Sequence, residues 1–509
     1  MKRDNTGSRT GNGAGSGVRR AIIGMAAAAL LAGCAAKRDT YEVPDVALPG
    51  ELRSLPAGET QMATFTATPE VMDKVLPQWW TAFGSAELNG LVERALNENM
   101  DLRMAVARVV QARSSLGSVE ADGWPVLTAS LQAGQESPAN GIGTVPVGQD
   151  PTTKRTYQAG LRLQWMPDLW GEYAAADESA ANQLRAAIHA RDIVRAQVIA
   201  DTVRTYLQYL SLHDRLETAR EVTRTMGDTL ERLQQQLDAR DTTALRVAQQ
   251  KSITYASIAA IPDLELQTER VFGQLALLTG RLPADLVLTG DSLQDVAVPP
   301  VPETLPPRFV LRRPQVRQAE ALLLAADADI DVARARVLPP LSLGGGVGWG
   351  NTVLSRLIAP ETLMWDIAGE LVATLFDAGK RQHAVAQSRA RYSELTAGYV
   401  QSVYDAVRAV EEAMAAQVLL TRRVAAQATA VEAARSAYAL SRETFELGAV
   451  DYLTLLDAER TYLRNKDDFH QIRLSRLQSV ADLMQALGGG ADYIPDEQLD
   501  ALEEAPIAE

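Results

Sequence analysis

Tyr157-Gln158-Ala159-Gly160-Leu161-Arg162-Leu163-Gln164-Trp165 is the stretch from which the rest of the chain is read. Tyr157, Ala159, Leu161, Leu163 and Trp165 share one parity, and Gln158, Gly160, Arg162 and Gln164 take the other. Successive side chains of a strand point to opposite faces, so this alternation describes a β-strand with one apolar and one polar side. Three further stretches repeat it. Leu127, Ala129, Leu131 and Ala133 share a parity, as do Leu341, Leu343, Val347 and Trp349, which face away from Ser and Gly. Trp365, Ile367, Gly369, Leu371 and Ala373 alternate with Asp366, Ala368, Glu370 and Thr374, and Val372 falls out of step. The four strands are expected near 124–135, 154–166, 339–349 and 363–375.

About ten residues with one apolar and one polar face suit a strand that crosses a bilayer, lipid outside and water inside. The other home for such strands is a soluble sandwich, which should contain many more of them. Four strands cannot close a barrel, and open strand edges are not tolerated in hydrocarbon. The chain must therefore donate its strands to an oligomer. Two copies give eight strands, a barrel that side chains fill; three give twelve and leave a lumen, the better arithmetic for a conduit.

The sequence around the strands is a long internal repeat. Leu102-Arg103-Met104-Ala105 matches Val316-Arg317-Gln318-Ala319, and each leads through Ala-rich sequence to a proline and a strand, Pro125-Val126-Leu127 and Pro340-Leu341-Ser342. The strands end at related turns, Pro167-Asp168-Leu169-Trp170-Gly171 and Leu375-Phe376-Asp377-Ala378-Gly379. Proline-free segments 172–239 and 380–446 follow, with apolar residues at helical spacing: Ile199, Val203, Tyr206 and Leu210; Val403, Val407, Val410 and Met414. Each would span roughly 100 Å if straight, far beyond an ordinary globular helix. Polar turns at Asp241 and Gly448 then open two returning helices, the first interrupted by Pro262, where a kink or break is expected.

Composition narrows the function. The chain has 509 residues, 46% apolar and 22% charged, enough for a large core. A single cysteine excludes a disulfide scaffold and Cys-based metal sites, and a net charge of −14 argues against a nucleic-acid partner. His189, His213, His383 and His470 stand singly, without ligand spacing. No phosphate-cradling loop or nucleophile elbow is present, and Trp79-Trp80 reads as packing. The chain reads as a non-enzyme with no cofactor. No run of 18 apolar residues marks a helical membrane span.

The N-terminus has Lys2, Arg3, Arg9, Arg19 and Arg20, an apolar run from Ala21 to Leu31, and Ala32-Gly33-Cys34. Basic head, short apolar core and small residues describe a secretory signal peptide. Leu31-Ala32-Gly33-Cys34 resembles the lipobox of bacterial lipoproteins, which implies cleavage before Cys34 and a diacylglycerol and N-acyl chain on it. Ala35 rather than Asp then implies sorting to the outer membrane. Loss of residues 1–33 leaves the mature chain near −18, from which some cation preference is expected.

Nearly the whole mature chain resembles the TolC-like outer-membrane factors, in the lipoprotein branch of multidrug efflux channels. The residues that carry the likeness are Gln78-Trp79-Trp80-x-x-Phe83, Pro167-Asp168-Leu169-Trp170-Gly171, Arg313-Pro314-Gln315-Val316-x-x-Ala319-Glu320 and Leu375-Phe376-Asp377-x-Gly379. Gly448-x-x-Asp451-Tyr452-Leu453-x-Leu455-Leu456-Asp457-Ala458 and Ala486-Leu487-Gly488-Gly489-Gly490 complete the set. The resemblance implies a mainly α protein with membrane β-hairpins. It implies a homotrimer: a 12-stranded outer-membrane β-barrel continuous with a 12-helix periplasmic α-barrel. It implies partners too, a periplasmic adaptor and an inner-membrane resistance-nodulation-division pump, with outer-membrane lipid around the barrel.

On that reading the chain divides into a signal peptide (1–33), a lipidated extended segment (34–84), a first repeat (85–280), a Pro-rich linker (281–312), a second repeat (313–488) and an acidic tail (489–509). Leu453 and Asp457 fall on the family's periplasmic gate positions and, four apart, share a helix face. Without the motif they read as a packed leucine and a solvated carboxylate. Three departures stand out: Thr454 where some relatives carry another acid, Arg246 where Asp is common, and no glycine in Asp238-Ala239-Arg240-Asp241-Thr242-Thr243. Arg246 is expected to pair with Asp451 or Asp457. Two alternatives share features with this reading. A periplasmic adaptor lipoprotein should carry soluble β-domains, and a type I secretion outer-membrane component would differ in its cargo.

Overall fold

The computed structural model describes residues 44, 46, 48–50, 52, 63–136 and 154–491. The expected signal peptide, Cys34 and the acidic tail beyond Ala491 lie outside the described residues. A short stretch with β1 (Thr64–Phe65) and α1 (Pro69–Val75) leads through a 3₁₀ segment, Leu76–Phe83, into α2 (Ala86–Glu98) and α3 (Met100–Asp122). The hairpin of β2 (Val126–Glu136) and β3 (Lys154–Trp165) comes next, then α4 (Glu172–Asp238) and α5 (Ala244–Leu278). After 3₁₀ turns and β4 (Val301–Pro302), the series repeats as α6 (Pro314–Ala335), β5 (Leu341–Asn351), β6 (Leu363–Leu371), α7 (Lys380–Glu446) and α8 (Tyr452–Ala486). The duplication is exact in the four long helices: α4 and α7 both have 67 residues, and α5 and α8 both have 35. Their starting residues lie 208 positions apart in both pairs.

The chain forms two compact units. One contains Leu116–Ala180 and Leu324–Tyr392 and holds a four-stranded antiparallel sheet in the order β2-β3-β5-β6. The register puts odd-numbered residues on one face: Leu127, Leu163, Gly345 and Ile367 form one row, and Ala129, Leu161, Val347 and Trp365 the next. Even-numbered rows such as Thr128, Arg162, Gly346 and Asp366 form the other face. The outer edges, β2 and β6, have no further strand partner among the described residues. Trp165 Nε1 donates to the Gly123 carbonyl at 3.0 Å, and Trp170 Nε1 to the Pro339 carbonyl at 2.8 Å, tying the strand ends to the neighbouring turns.

The last strand is shorter than its sequence reading. β6 ends at Leu371, which pairs with Leu341, the first residue of β5. Pro339 and Pro340 precede Leu341 and cannot extend the ladder, so residues 372–375 have nothing to pair with. Leu375 and Phe376 are left almost fully exposed.

The second unit contains, among the described residues, those from 44 to 115, Ala181–Leu323 and those from 393 to 491. On α4, Ile199, Val203, Tyr206 and Leu210 are all buried, as helical spacing requires. Leu212 and Leu216 of α4 cluster with Leu264 and Val271 of α5. Each fully buried side chain of this size stabilises the fold by roughly 1.5–3 kcal/mol. Pro262 does not break α5, which runs from Ala244 to Leu278. Pro262 is exposed, so the backbone carbonyl that its ring frees can be hydrated, while Leu264 holds the next turn in the core.

Two stretches expected to be extended are more ordered than that. Within 34–84, Thr68 caps α1, its Oγ1 accepting from the Val71 amide at 3.4 Å, and the following turns bury Trp79, Trp80 and Phe83. The Pro-rich 281–312 contains three 3₁₀ turns and pairs β4 with β1, with Leu293, Val301, Phe309 and Val310 buried. Its prolines prevent helix and sheet growth, yet its apolar side chains still pack.

Candidate functional site

Two surfaces carry functional geometry, one in each unit. In the first unit it is the sheet. Leu127, Leu131, Trp365 and Ile367, all odd-numbered, are 65%, 80%, 73% and 83% exposed. A contiguous apolar face of this kind, four strands wide, is not left in water by a folded protein. Tyr157 and Trp349 lie toward one end of the strands and Trp124 and Trp165 toward the other, as aromatic girdles do at the two bilayer interfaces. The even face is mostly polar or bare, with Val126 and Met364 as exceptions: Gln158, Arg162 and Gln164 on β3, Ser342, Gly344, Gly346, Gly348 and Gly350 on β5.

In the second unit it is the turn end of the helical hairpins, which gathers Arg246, Asp451, Leu453, Thr454 and Asp457. Asp451 is the N-cap of α8; its Oδ1 accepts from the Thr454 amide at 2.9 Å and the Thr454 hydroxyl at 2.5 Å. These two bonds, the hydroxyl's first, hold the Asp451 carboxyl below the usual carboxylate range, and Arg246 adds a weaker attraction. Arg246 forms no ion pair with Asp451 or Asp457 among the described residues, so it acts at longer range than the expected pairing. Thr454, at a position expected to be acidic in some relatives, serves here as the capping partner.

Leu453 and Asp457 are exposed on one face of α8, while Tyr452, Leu455, Leu456 and Glu459 are buried on the other. Asp451, Leu453, Thr454 and Asp457 line a groove of about 530 Å³ against Ala434, Ala437 and Ser441 of α7. The buried face packs in a cluster of Leu233, Val247, Tyr452 and Leu456, with Leu230, Leu237, Ile253 and Phe445 around it. That cluster fixes the direction in which the opposite face of α8 points.

Two buried polar residues here were not singled out from the sequence. Gln250 is fully buried; its Nε2 donates to the Met226 carbonyl at 3.1 Å and its Oε1 accepts from the Tyr452 hydroxyl. Burial also pushes that hydroxyl up to about 12. Glu459 is 5% exposed, and burial raises its carboxyl, against a hydrogen bond from Tyr438 that lowers it. Gln250 shares a helical stripe with Val247 and Thr254, which was the available signal. Among the described residues no cluster of His, Cys, Asp and Glu could hold a metal ion.

The sequence profile of the outer membrane efflux proteins matches residues 91–281 and 305–489. The pyoverdine export outer membrane protein OpmQ of Pseudomonas aeruginosa is 31% identical over 471 residues, covering 92% of this chain and 96% of its own. The "Probable outer membrane lipoprotein SilC" of Salmonella typhimurium is 26% identical, covering 92% and 98%. The solved outer-membrane channel OprN superposes with a TM-score of 0.79 at 26% identity, over 89% of this chain and 98% of that one.

Proposed function

The chain belongs to the outer membrane efflux protein family, and from that premise we propose that three copies form one passive conduit serving an inner-membrane pump. The protein is an outer-membrane efflux channel. The observation that carries the finer reading is the sheet: one apolar exposed face, one polar face and two unpaired edges. In hydrocarbon each edge must be satisfied by another protomer's edge, and twelve strands leave a water-filled lumen where four or eight do not. The helical hairpins of the three copies then line the periplasmic part of the path.

In this proposal Leu453 and Asp457 form the constriction at the turn end. Three leucines around an axis exclude water, and three carboxylates repel one another or hold a cation. The cap at Asp451–Thr454 and the cluster around Tyr452 orient that face. Cys34 carries the diacylglycerol and N-acyl chains; several buried acyl chains at ~0.8 kcal/mol per CH₂ make a stable anchor beside the barrel. A periplasmic adaptor and a resistance-nodulation-division pump supply substrate and energy. OpmQ exports pyoverdine by its name, which makes a secreted small-molecule product a substrate class to assay beside drugs.

Planar-bilayer recording of the purified protein is the test, together with its native mass. Discrete conductance from a particle of three chains is expected, and Leu453→Ser should raise the resting conductance. A protein that forms no pore would overturn the conduit, and a two-chain particle the trimer. Loss of lipid labelling in Cys34→Ser tests the anchor separately.

A further inference from the structure

The polar face of the sheet carries one contact between strands that are not neighbours. Arg162 Nη2 on β3 lies 3.5 Å from Asp366 Oδ1 on β6, although β5 runs between them. Adjacent strands are ~4.8 Å apart, so the two backbones are separated by roughly 10 Å. The residue between them in the row is Gly346. A Cβ there would stand 3.0 Å from Asp366 Oδ1 and 3.8 Å from Arg162 Nη2, so the missing side chain is what lets the two groups meet. Arg162 and Asp366 are 64% and 54% exposed, and so open a pair adds little to stability. Its effect is on the field above the sheet.

The even-numbered positions from 126 to 134, 156 to 164, 342 to 350 and 364 to 370 contain only three charged residues: Arg162, Asp366 and Glu370. Within those rows Arg162 is the single cation, with Asp366 against it; the end row of the first hairpin, Glu136 and Lys154, adds one charge of each sign. We propose that the Arg162–Asp366 pair, seated over Gly346, sets the ion preference of the β-barrel section of the channel. The inference rests on the reading that the even face lines the lumen. With the pair intact, those rows leave one uncompensated carboxylate per protomer, Glu370. Removal of Asp366 uncovers a ring of three arginines; removal of Arg162 leaves two rings of carboxylates. In a confined lumen such rings concentrate counter-ions.

The test is reversal potential across a KCl gradient, measured on full-length channels in planar bilayers. Asp366→Asn is expected to shift the K⁺/Cl⁻ permeability ratio toward chloride by about twofold, and Arg162→Gln toward potassium by about as much. The exchanged channel, Arg162→Asp with Asp366→Arg, restores the pair and should return the ratio to that of the unaltered protein. The periplasmic constriction is common to all variants, so its own selectivity cancels in the comparison. Two single variants that leave the ratio unchanged, or shift it in the same direction, overturn the proposal, as does an exchanged channel that fails to return it. Absence of conductance in the unaltered protein would instead overturn the channel reading.

Discussion

The two turn ends of the duplicated helices are built on one plan and finished differently. Residues 208 apart correspond: Arg240 with Gly448, Thr243 with Asp451, Arg246 with Thr454, Gln250 with Ala458 and Lys251 with Glu459. Both long helices close with the same pair of backbone bonds. Arg240 N donates to Leu237 O at 3.0 Å and Asp241 N to Gln236 O at 2.7 Å; Gly448 N donates to Phe445 O and Ala449 N to Thr444 O, both at 2.9 Å. Both returning helices open on a side-chain cap, from Thr243 and Asp451. The backbone plan is therefore shared. The side chains that face across the hairpins have diverged, the first end supplying a buried amide and an exposed cation, the second a buried phenol and a buried carboxyl. The first end thus reads as support for the second.

The largest test of that division is Gln250→Ala, which gives the first end the residue that the second has at Ala458. It removes the partner of the Tyr452 hydroxyl and one donor to Met226 O, and opens space in a fully buried site. An expected loss of about 2–3 kcal/mol follows from unsatisfied buried groups. Tyr452→Phe should cost about 1 kcal/mol. Denaturation of the detergent-solubilised protein measures both, and the double variant should lose less than their sum. Strict additivity would show that the two ends are not coupled through this bond.

The closing turns give the next effect. Arg240 has φ 65° and Gly448 φ 74°, so both sit in the left-handed region that penalises a Cβ. Gly448→Ala is expected to destabilise by about 1 kcal/mol and Arg240→Gly to stabilise by about 0.5–1 kcal/mol, part of the gain being lost to the freer unfolded chain. Effects of the same sign would mean that the two turns are not equivalent after all.

Glu459 separates the ends by pH. Its counterpart Lys251 is exposed, with its ammonium 6.0 Å from the Tyr255 ring, whereas burial lifts the Glu459 carboxyl above 4.5. With the folded value raised, its stability contribution is full below about pH 4.5 and is lost as pH rises through the folded value. Glu459→Gln should therefore raise the melting temperature near pH 7.5 and make no difference near pH 4, about the unfolded carboxyl's range. A melting difference that stays constant with pH would exclude titration of Glu459 as its cause.

How much of this was legible in the sequence follows from what the chain must satisfy locally. The alternation around Leu161 gave the sheet's two faces, because a one-residue slip would turn Arg162 into lipid. The repeat of the long helices was legible because burial fixes positions such as Val203 and Val403. The end of β6 was not, since it is set by Pro339 and Pro340 on a different strand. Nor was the ability of Arg240 to replace a glycine, because a turn bonded on both sides tolerates one strained residue. The face shared by Leu453 and Asp457 could be read from their spacing, whereas Gln250 and Tyr452 meet only once two hairpins pack. That the helix runs on through Pro262 was not legible for a similar reason: the proline is exposed, which periodicity alone does not report.

Arg246 should give the smallest effect, and it bears on the same comparison. It stands where the second end has Thr454, and it helps keep the Asp451 carboxyl low without touching it. An attraction between exposed groups beyond salt-bridge distance is screened over ~10 Å at 0.1 M salt. Its influence on the proposed constriction should therefore appear at low ionic strength and fade at high. Arg246→Ala channels are expected to differ in conductance from the unaltered protein at about 0.1 M KCl and to converge with it near 1 M, where the screening length falls to ~3 Å. Thr454→Val should behave differently, because it removes the hydroxyl bond to Asp451 whatever the salt. A conductance difference for Arg246→Ala that is absent at every salt concentration would confine the arginine to the first end and leave the gate face to the second alone.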